Sequence, residues 1–140
     1  MEQVREWTLA TDVQGIPAVV DAIVTLCRDA GYSARHCQLN IPVAVTEAIA
    51  NAMLRGNGNA PDRRVMVLAV VTEVRLLVEV TDEGPGFDLA AIVQSPEDAD
   101  WFERERGRGV FLMRSLMDEI ENQRLEHPTG HRLRLTLQRA

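Results

Sequence analysis

The sequence predicts an α+β domain, a two-layer sandwich of a mixed, mainly antiparallel sheet with helices on one face. Three observations carry this. The chain has 140 residues, about one domain's worth. Apolar residues alternate at a strand's period in some stretches and recur at a helix's period in others. The links between neighbouring strands are short enough for hairpins, which makes those strands antiparallel.

Val4–Leu9 reads as a first strand, with Gly15 and Pro17 punctuating the chain after it. Val20, Ile23, Val24 and Cys27 recur at i, i+3, i+4 and i+7, a helical stripe that Gly31 ends. A second helix starts at Asn40 as N-cap and runs to about Leu54, tolerating Pro42 in its first turn. Ile41, Val45, Ala48 and Ala52 form its apolar stripe. Residues 56–62, Gly-Asn-Gly-Asn-Ala-Pro-Asp, are turn chemistry. Val65–Val71 is a nearly all-apolar strand, and Leu76, Val78 and Val80 mark a half-buried one. Residues 72–74 join these two as an antiparallel hairpin.

Asp82-Glu83-Gly84-Pro85-Gly86 breaks the chain at a strand end. Residues 88–106 are polar, contain Ser95-Pro96 and read as a long loop. Such a loop in a compact domain is functional or disordered. Gly107-Arg108-Gly109 closes it and opens a third helix marked by Val110, Met113 and Met117. Ile120–Leu125 is a further strand, residues 127–130 are a turn, and Leu133, Leu135 and Leu137 mark the last strand. There is no internal repeat and no low-complexity segment, so residues 1–140 read as a single domain.

Composition narrows the function. The chain is 46% hydrophobic and 26% charged, ordinary for a globular protein. Its net charge of −6 argues against a primary role on nucleic acid. All 15 basic residues are Arg. Without Lys there is no P-loop and no Schiff-base chemistry at a lysine. Cys27 and Cys37 form no CxxC pair, and His36, His127 and His131 supply no zinc-ligand spacing. They read as free thiols in a reducing compartment, with a disulfide as the alternative. The N-terminus carries Glu2, Arg5 and Glu6, unlike a signal peptide, and apolar runs such as Val65–Val71 are strand length. The expectation is a cytoplasmic protein with no membrane association.

Three segments carry chemistry. Glu47, Asn51 and Arg55 recur at i, i+4 and i+8, so an acid, an amide and a cation share one helix side, drifting about 40° per step. The acid can take a hydroxyl proton, the amide oxygen suits Mg²⁺, and the Arg can hold phosphate. Taken alone the trio also fits a solvated helix face. Asp82, at a strand end, can accept a hydrogen bond from an exocyclic amine such as adenine's. Gly84 and Gly86 let backbone approach a flat ring and allow positive φ. Gly107-Arg108-Gly109 at a helix start would offer backbone N–H groups to phosphate.

Together these read Thr46-Glu47-Ala48-Ile49-Ala50-Asn51-Ala52, then Asp82-Glu83-Gly84-Pro85-Gly86, then Gly107-Arg108-Gly109. In that order they resemble the N-box, G1 box and G2 box of the GHKL ATPase superfamily. The stretch Gly107–Ile120, GRGVFLMRSLMDEI, resembles one branch, the anti-sigma-factor serine/threonine kinases of the RsbW and SpoIIAB type. The resemblance covers about Val4 to Gln138.

It implies a Bergerat fold, ATP and Mg²⁺ as cofactors, and phosphoryl transfer to a Ser or Thr of a partner, a STAS-domain anti-sigma factor antagonist. It further implies a sequestered sigma factor and a homodimer. Glu47 is then the general base and Asn51 the Mg²⁺ ligand. Asp82 reads adenine in a pocket shaped by Gly84 and Gly86, and Gly107 and Gly109 form the phosphate end of the lid. Arg55 stands where relatives often carry His or Lys, and Gly130-His131 where they commonly carry Gly-Thr. Arg104, Arg106 and Arg108 cluster at the lid's end and, interleaved with Glu103 and Glu105, read as a solvated loop. The alternative is a contact to the γ-phosphate or an acidic partner, for which Arg108 is the best of them. Trp101-Phe102 reads as a lid anchor, with a partner contact as the alternative. The competing reading is a catalytically weak, nucleotide-gated binding module. Sensor histidine kinases and gyrase-like or Hsp90-like machines need further domains.

Overall fold

The computed structural model describes residues 1–84 and 101–140, with side chains from residue 109 onward in the second stretch. Pro85, Gly86, Ser95 and Pro96 lie outside the described residues. So do the side chains of Trp101, Phe102, Arg104, Arg106 and Arg108.

Strands β1 (Gln3–Ala10), β2 (Arg64–Val71), β3 (Arg75–Asp82), β4 (Glu119–Glu126) and β5 (Thr129–Gln138) form one sheet in the order β1-β2-β3-β5-β4. The pairing is antiparallel at each described junction. Helices α1 (Ile16–Asp29), α2 (Ile41–Asn51) and α3 (Trp101–Leu116) complete the α+β architecture.

Strand period explains the layers. Val65, Val67, Ala69 and Val71 share a face with Leu76, Val78 and Val80 and with Leu133, Leu135 and Leu137, and all are buried in one core. Ile16, Val20, Ile23 and Cys27 of α1 join that core, as do Ile41, Val45 and Ile49 of α2 and Val110 and Met113 of α3. The opposite sheet face stays wet, with Met66 exposed and Arg134 forked onto Glu79 at 2.9 and 3.1 Å.

Two boundaries depart from the sequence expectation. Asn40 does not cap the second helix. It ends a π-helical turn, His36–Asn40, that leads directly into α2. Pro42 lacks an N–H, so the ordinary i−4 bond there is missing and the wider i−5 register takes over. The Ile41 N–H donates to the His36 carbonyl instead. The Asn40 side chain serves another helix, its Nδ2 donating to the Leu116 carbonyl at the end of α3 at 2.8 Å.

The second departure is the start of α3. Gly107, Arg108 and Gly109 lie inside this helix and do not open it. The Glu-Arg-Glu-Arg run before them consists of good helix formers, and their summed propensity outweighs two glycines.

Cys27 and Cys37 are both free and both buried. Burial, reinforced by neighbouring Cys37, pushes the Cys27 thiol from its ordinary 9.0 up to about 12. Burial likewise pushes the Tyr32 phenol from 10.0 to about 12. Both folded values lie above the unfolded ones. Their stabilisation is therefore whole below pH 9 and is lost as the pH rises toward 12, at up to about 1.4 kcal/mol per pH unit per group. Urea titrations from pH 8 to 11 should show that decline, with a shallower slope in Cys27→Ala. A thiol reagent at pH 8 should label neither cysteine in native protein and both in urea.

Candidate functional site

The site forms where α2, α3 and the ends of β3 and β5 converge. Glu47 and Asn51, one α-helical turn apart on α2, are both half-buried. The backbone of Gly109 on α3 lies directly against them. A Cβ added there would sit 2.7 Å from Glu47 Oε2 and 3.2 Å from Asn51 Nδ2. Glycine lets the carboxylate and amide occupy the space a side chain would take. The fold thus brings Glu47, Asn51 and Gly109 together from two helices far apart in sequence.

Asn51 Nδ2 is buried with no hydrogen-bond partner among the described residues. A buried amide left unmade costs about 1–3 kcal/mol, so it marks a place where a ligand would be stabilising. The amide can present its oxygen or its nitrogen there, since the two ends are interchangeable by a flip. With Glu47 beside it, the pair is a hard donor set that fits a magnesium ion sharing its shell with phosphates and water. Among the described residues no group of three or more His, Cys, Asp or Glu is placed to hold a metal by itself.

After Asn51 the helix widens into a second π turn, Ala52–Gly56, closed by the Asn57 N–H donating to the Ala52 carbonyl at 2.8 Å. Arg55 sits in this turn, half-buried. A π turn holds more residues than an α turn, so it offsets the drift an α-helix would accumulate by Arg55. The same turn delivers Gly56 to the end of β3. A Cβ on Gly56 would lie 1.9 Å from Asp82 Oδ2.

Asp82 is 2% exposed. Its Oδ1 accepts the Gly84 N–H at 2.9 Å. Its Oδ2 lies 3.6 Å from His131 Nδ1, a contact longer than a hydrogen bond, and His131 is equally buried. The two residues stand opposite each other in the β3–β5 register.

Gly84 has a different reason to be glycine than the sequence suggests. Its φ is not in the left-handed region, and its close neighbour is protein backbone. A Cβ there would lie 1.4 Å from the Gly56 carbonyl oxygen. Gly107 and Gly109 likewise lie within α3, so their N–H groups are not the free donors of a helix start.

Sequence reasoning missed Asn57, read only as turn chemistry. It is fully buried and ties three segments together. Its Nδ2 donates to Thr11 Oγ1 and to the Arg64 carbonyl, both at 3.0 Å, and its Oδ1 accepts the Glu83 N–H at 2.8 Å. Glu83 in turn accepts the Arg64 N–H at 3.0 Å. The turn after Asp82 is thereby fixed to the starts of both neighbouring connections. The one signal in the sequence was an Asn directly after Gly56 in a stretch needing only turn formers. Gly130, read as a turn residue before His131, also packs on the strand end; a Cβ there would lie 2.5 Å from the Asp82 carbonyl oxygen.

Fold and site together define an α+β domain of the Bergerat type, with a carboxylate and amide on one helix and a buried aspartate at a strand end. The chain belongs to the family of the histidine kinase-like ATPase domain, whose model matches residues 9–137. Membership of an ATPase family implies an ATP site. The chain is similar to the serine-protein kinase RsbW of Listeria monocytogenes, 33% identical over 98 residues, covering 66% of this chain and 61% of that protein. It is similar to RsbW of Oceanobacillus iheyensis, 31% identical over 87 residues, covering 59% and 55%. It is also similar to an anti-sigma F factor of Clostridium beijerinckii, 29% identical over 83 residues, covering 59% and 58%. The chain spans about 61% of the length of the curated relatives it matches first. No helix among the described residues is long and apolar enough to cross a membrane.

The glycines separate two kinds of substitution. Gly84→Ala sets a methyl against unyielding backbone and should destabilise by about 3 kcal/mol. Asn57→Ala removes three part-buried hydrogen bonds of a fully buried side chain and should cost about 2–3 kcal/mol. Gly109→Ala meets the end of a side chain that can swing, and alanine favours a helix by up to about 1 kcal/mol. Its melting temperature should match or exceed wild type while ATP-dependent activity falls at least tenfold. Thermal melts beside activity assays check all three.

Proposed function

We propose that this chain is an ATP-dependent serine/threonine protein kinase that acts as an anti-sigma factor. Its substrate is a STAS-domain anti-sigma factor antagonist, and it sequesters a sigma factor, working as a homodimer in the cytoplasm. The observation that carries the reading is the packing of Gly109 against Glu47 and Asn51. It gathers a base, an amide and a close-approach backbone around one point. The relatives' names, serine-protein kinase and anti-sigma F factor, support the choice of class.

In this proposal Asp82 accepts the adenine amine, with Gly84 and Gly86 shaping the turn around it. Asn51 holds Mg²⁺, which neutralises charge on the phosphates when bound. Arg55, Gly107, Arg108 and Gly109 line the phosphate end. Glu47 takes the proton from the partner's hydroxyl as its oxygen bonds to the γ-phosphorus. The bond from the γ-phosphorus to the bridging oxygen breaks, and ADP leaves with that electron pair. Such transfer needs mainly positioning and charge neutralisation, which this small set supplies.

A second reading is a nucleotide-gated binding module in which affinity for the partner is the output. It is favoured by Arg55, whose fork binds phosphate differently from His or Lys, and by His131 against Asp82.

The two readings differ at Glu47. For the kinase, labelled ATP with a STAS-domain partner gives phosphoprotein, and Glu47→Ala lowers the rate at least a hundredfold while Mg·ATP still binds. Phosphotransfer at the wild-type rate in Glu47→Ala would remove Glu47 as the base. ATP-dependent partner binding with no turnover in wild type would establish the module instead. Asp82→Asn should abolish saturable Mg·ATP binding in a calorimetric titration under either reading.

A further inference from the structure

We propose that His131 is a specificity-determining residue of the base site, holding Asp82 so that it selects a 6-amino purine over a 6-oxo purine. The inference rests on the ATP-site reading above and deepens it.

Register makes the contact obligatory. His131 and Asp82 are directly opposed residues of neighbouring antiparallel strands. Each shares parity with core residues, His131 with Leu133 and Leu135, and Asp82 with Val80 and Val78. Both side chains therefore point to the helix-covered face, and both are 2% exposed.

The carboxylate is addressed at both oxygens. Gly84 N–H holds Oδ1 at 2.9 Å, and His131 Nδ1 stands 3.6 Å from Oδ2. Gly56 backs the carboxylate closely, since a Cβ added there would lie 1.9 Å from Oδ2, while Gly130 packs on the Asp82 backbone carbonyl. Carboxylate oxygens have about four acceptor positions between them. With one taken by Gly84 and the Oδ2 side faced by the imidazole, the remaining lone pairs have a fixed direction.

A fixed acceptor discriminates sharply. The N6 amine of a 6-amino purine donates to it. The O6 of a 6-oxo purine is itself an acceptor and leaves two lone pairs facing each other in a buried site. Sites built around one directed hydrogen bond reject the mismatched analogue far more strongly than apolar pockets do. Without the imidazole, Asp82 keeps the Gly84 N–H on Oδ1 and Gly56 behind it, but nothing faces Oδ2 and the direction of its lone pairs loosens.

The test is titration of ATP and of inosine triphosphate into the full chain, whose phosphates are identical and whose bases differ at position 6. Wild type should prefer ATP by at least a hundredfold. His131→Val should fold, because a strand accommodates β-branched residues. Its preference should fall at least tenfold. His131→Gln keeps an N–H donor and should hold the preference within about threefold of wild type. A merely structural role for His131 would weaken both triphosphates equally and leave the ratio unchanged. An unchanged ratio in folded His131→Val, or a lost preference in folded His131→Gln, overturns the inference alone. Wild-type protein that binds neither triphosphate overturns the ATP-site reading, and this inference with it.

Discussion

The close approach of two backbones at the end of β3 is the constraint on which the site depends. Gly84 lies against the carbonyl of Gly56, and Gly56 lies against the carboxylate of Asp82. Neither contact survives a Cβ. Because the helical run containing Glu47 and Asn51 ends at Gly56, this contact also fixes where that run stands relative to the strand end. Asp82 and the Glu47–Asn51 pair are thereby set at one distance by backbone atoms, which have no rotamers to lose. Asn57 adds the hydrogen bonds that hold the junction closed from behind.

How much of this was legible in the sequence depends on the type of signal. Strand and helix positions follow from apolar periodicity, and the sheet agrees with that expectation because burial of one face enforces it. That Glu47 and Asn51 share one helix side, and that Asp82 ends a strand, was legible because the period of each element places its residues. The two π turns were not. They depend on which carbonyl finds which N–H, and only Pro42 hints at that in the sequence. The reason for Gly84 was also hidden. A glycine's neighbour comes from another part of the chain, and here it is residue 56, not a ligand. Asn57 was hidden for the same reason, since its partners at Thr11 and Glu83 are brought to it by the sheet. The start of α3 was misjudged because glycine was weighed as punctuation without counting the helix formers before it.

The site is not a separate construction on the surface of the core but its continuation. The parity that buries Leu76, Val78 and Val80 carries on to Asp82, and the parity that buries Leu137, Leu135 and Leu133 carries on to His131. Polar residues at the last positions of two buried rows are costly unless paired. The chain offsets that cost within the site, with the Gly84 N–H on one oxygen and His131 facing the other. The same row ends that would weaken an ordinary core therefore become a buried polar pair at the rim of the site. A shift of either strand by one residue would turn Asp82 and His131 to the wet face and expose the apolar rows with them. Stability of the sheet and the placement of Asp82 beside His131 are in this way one requirement, and selection of the register for burial fixes both residues without any further device.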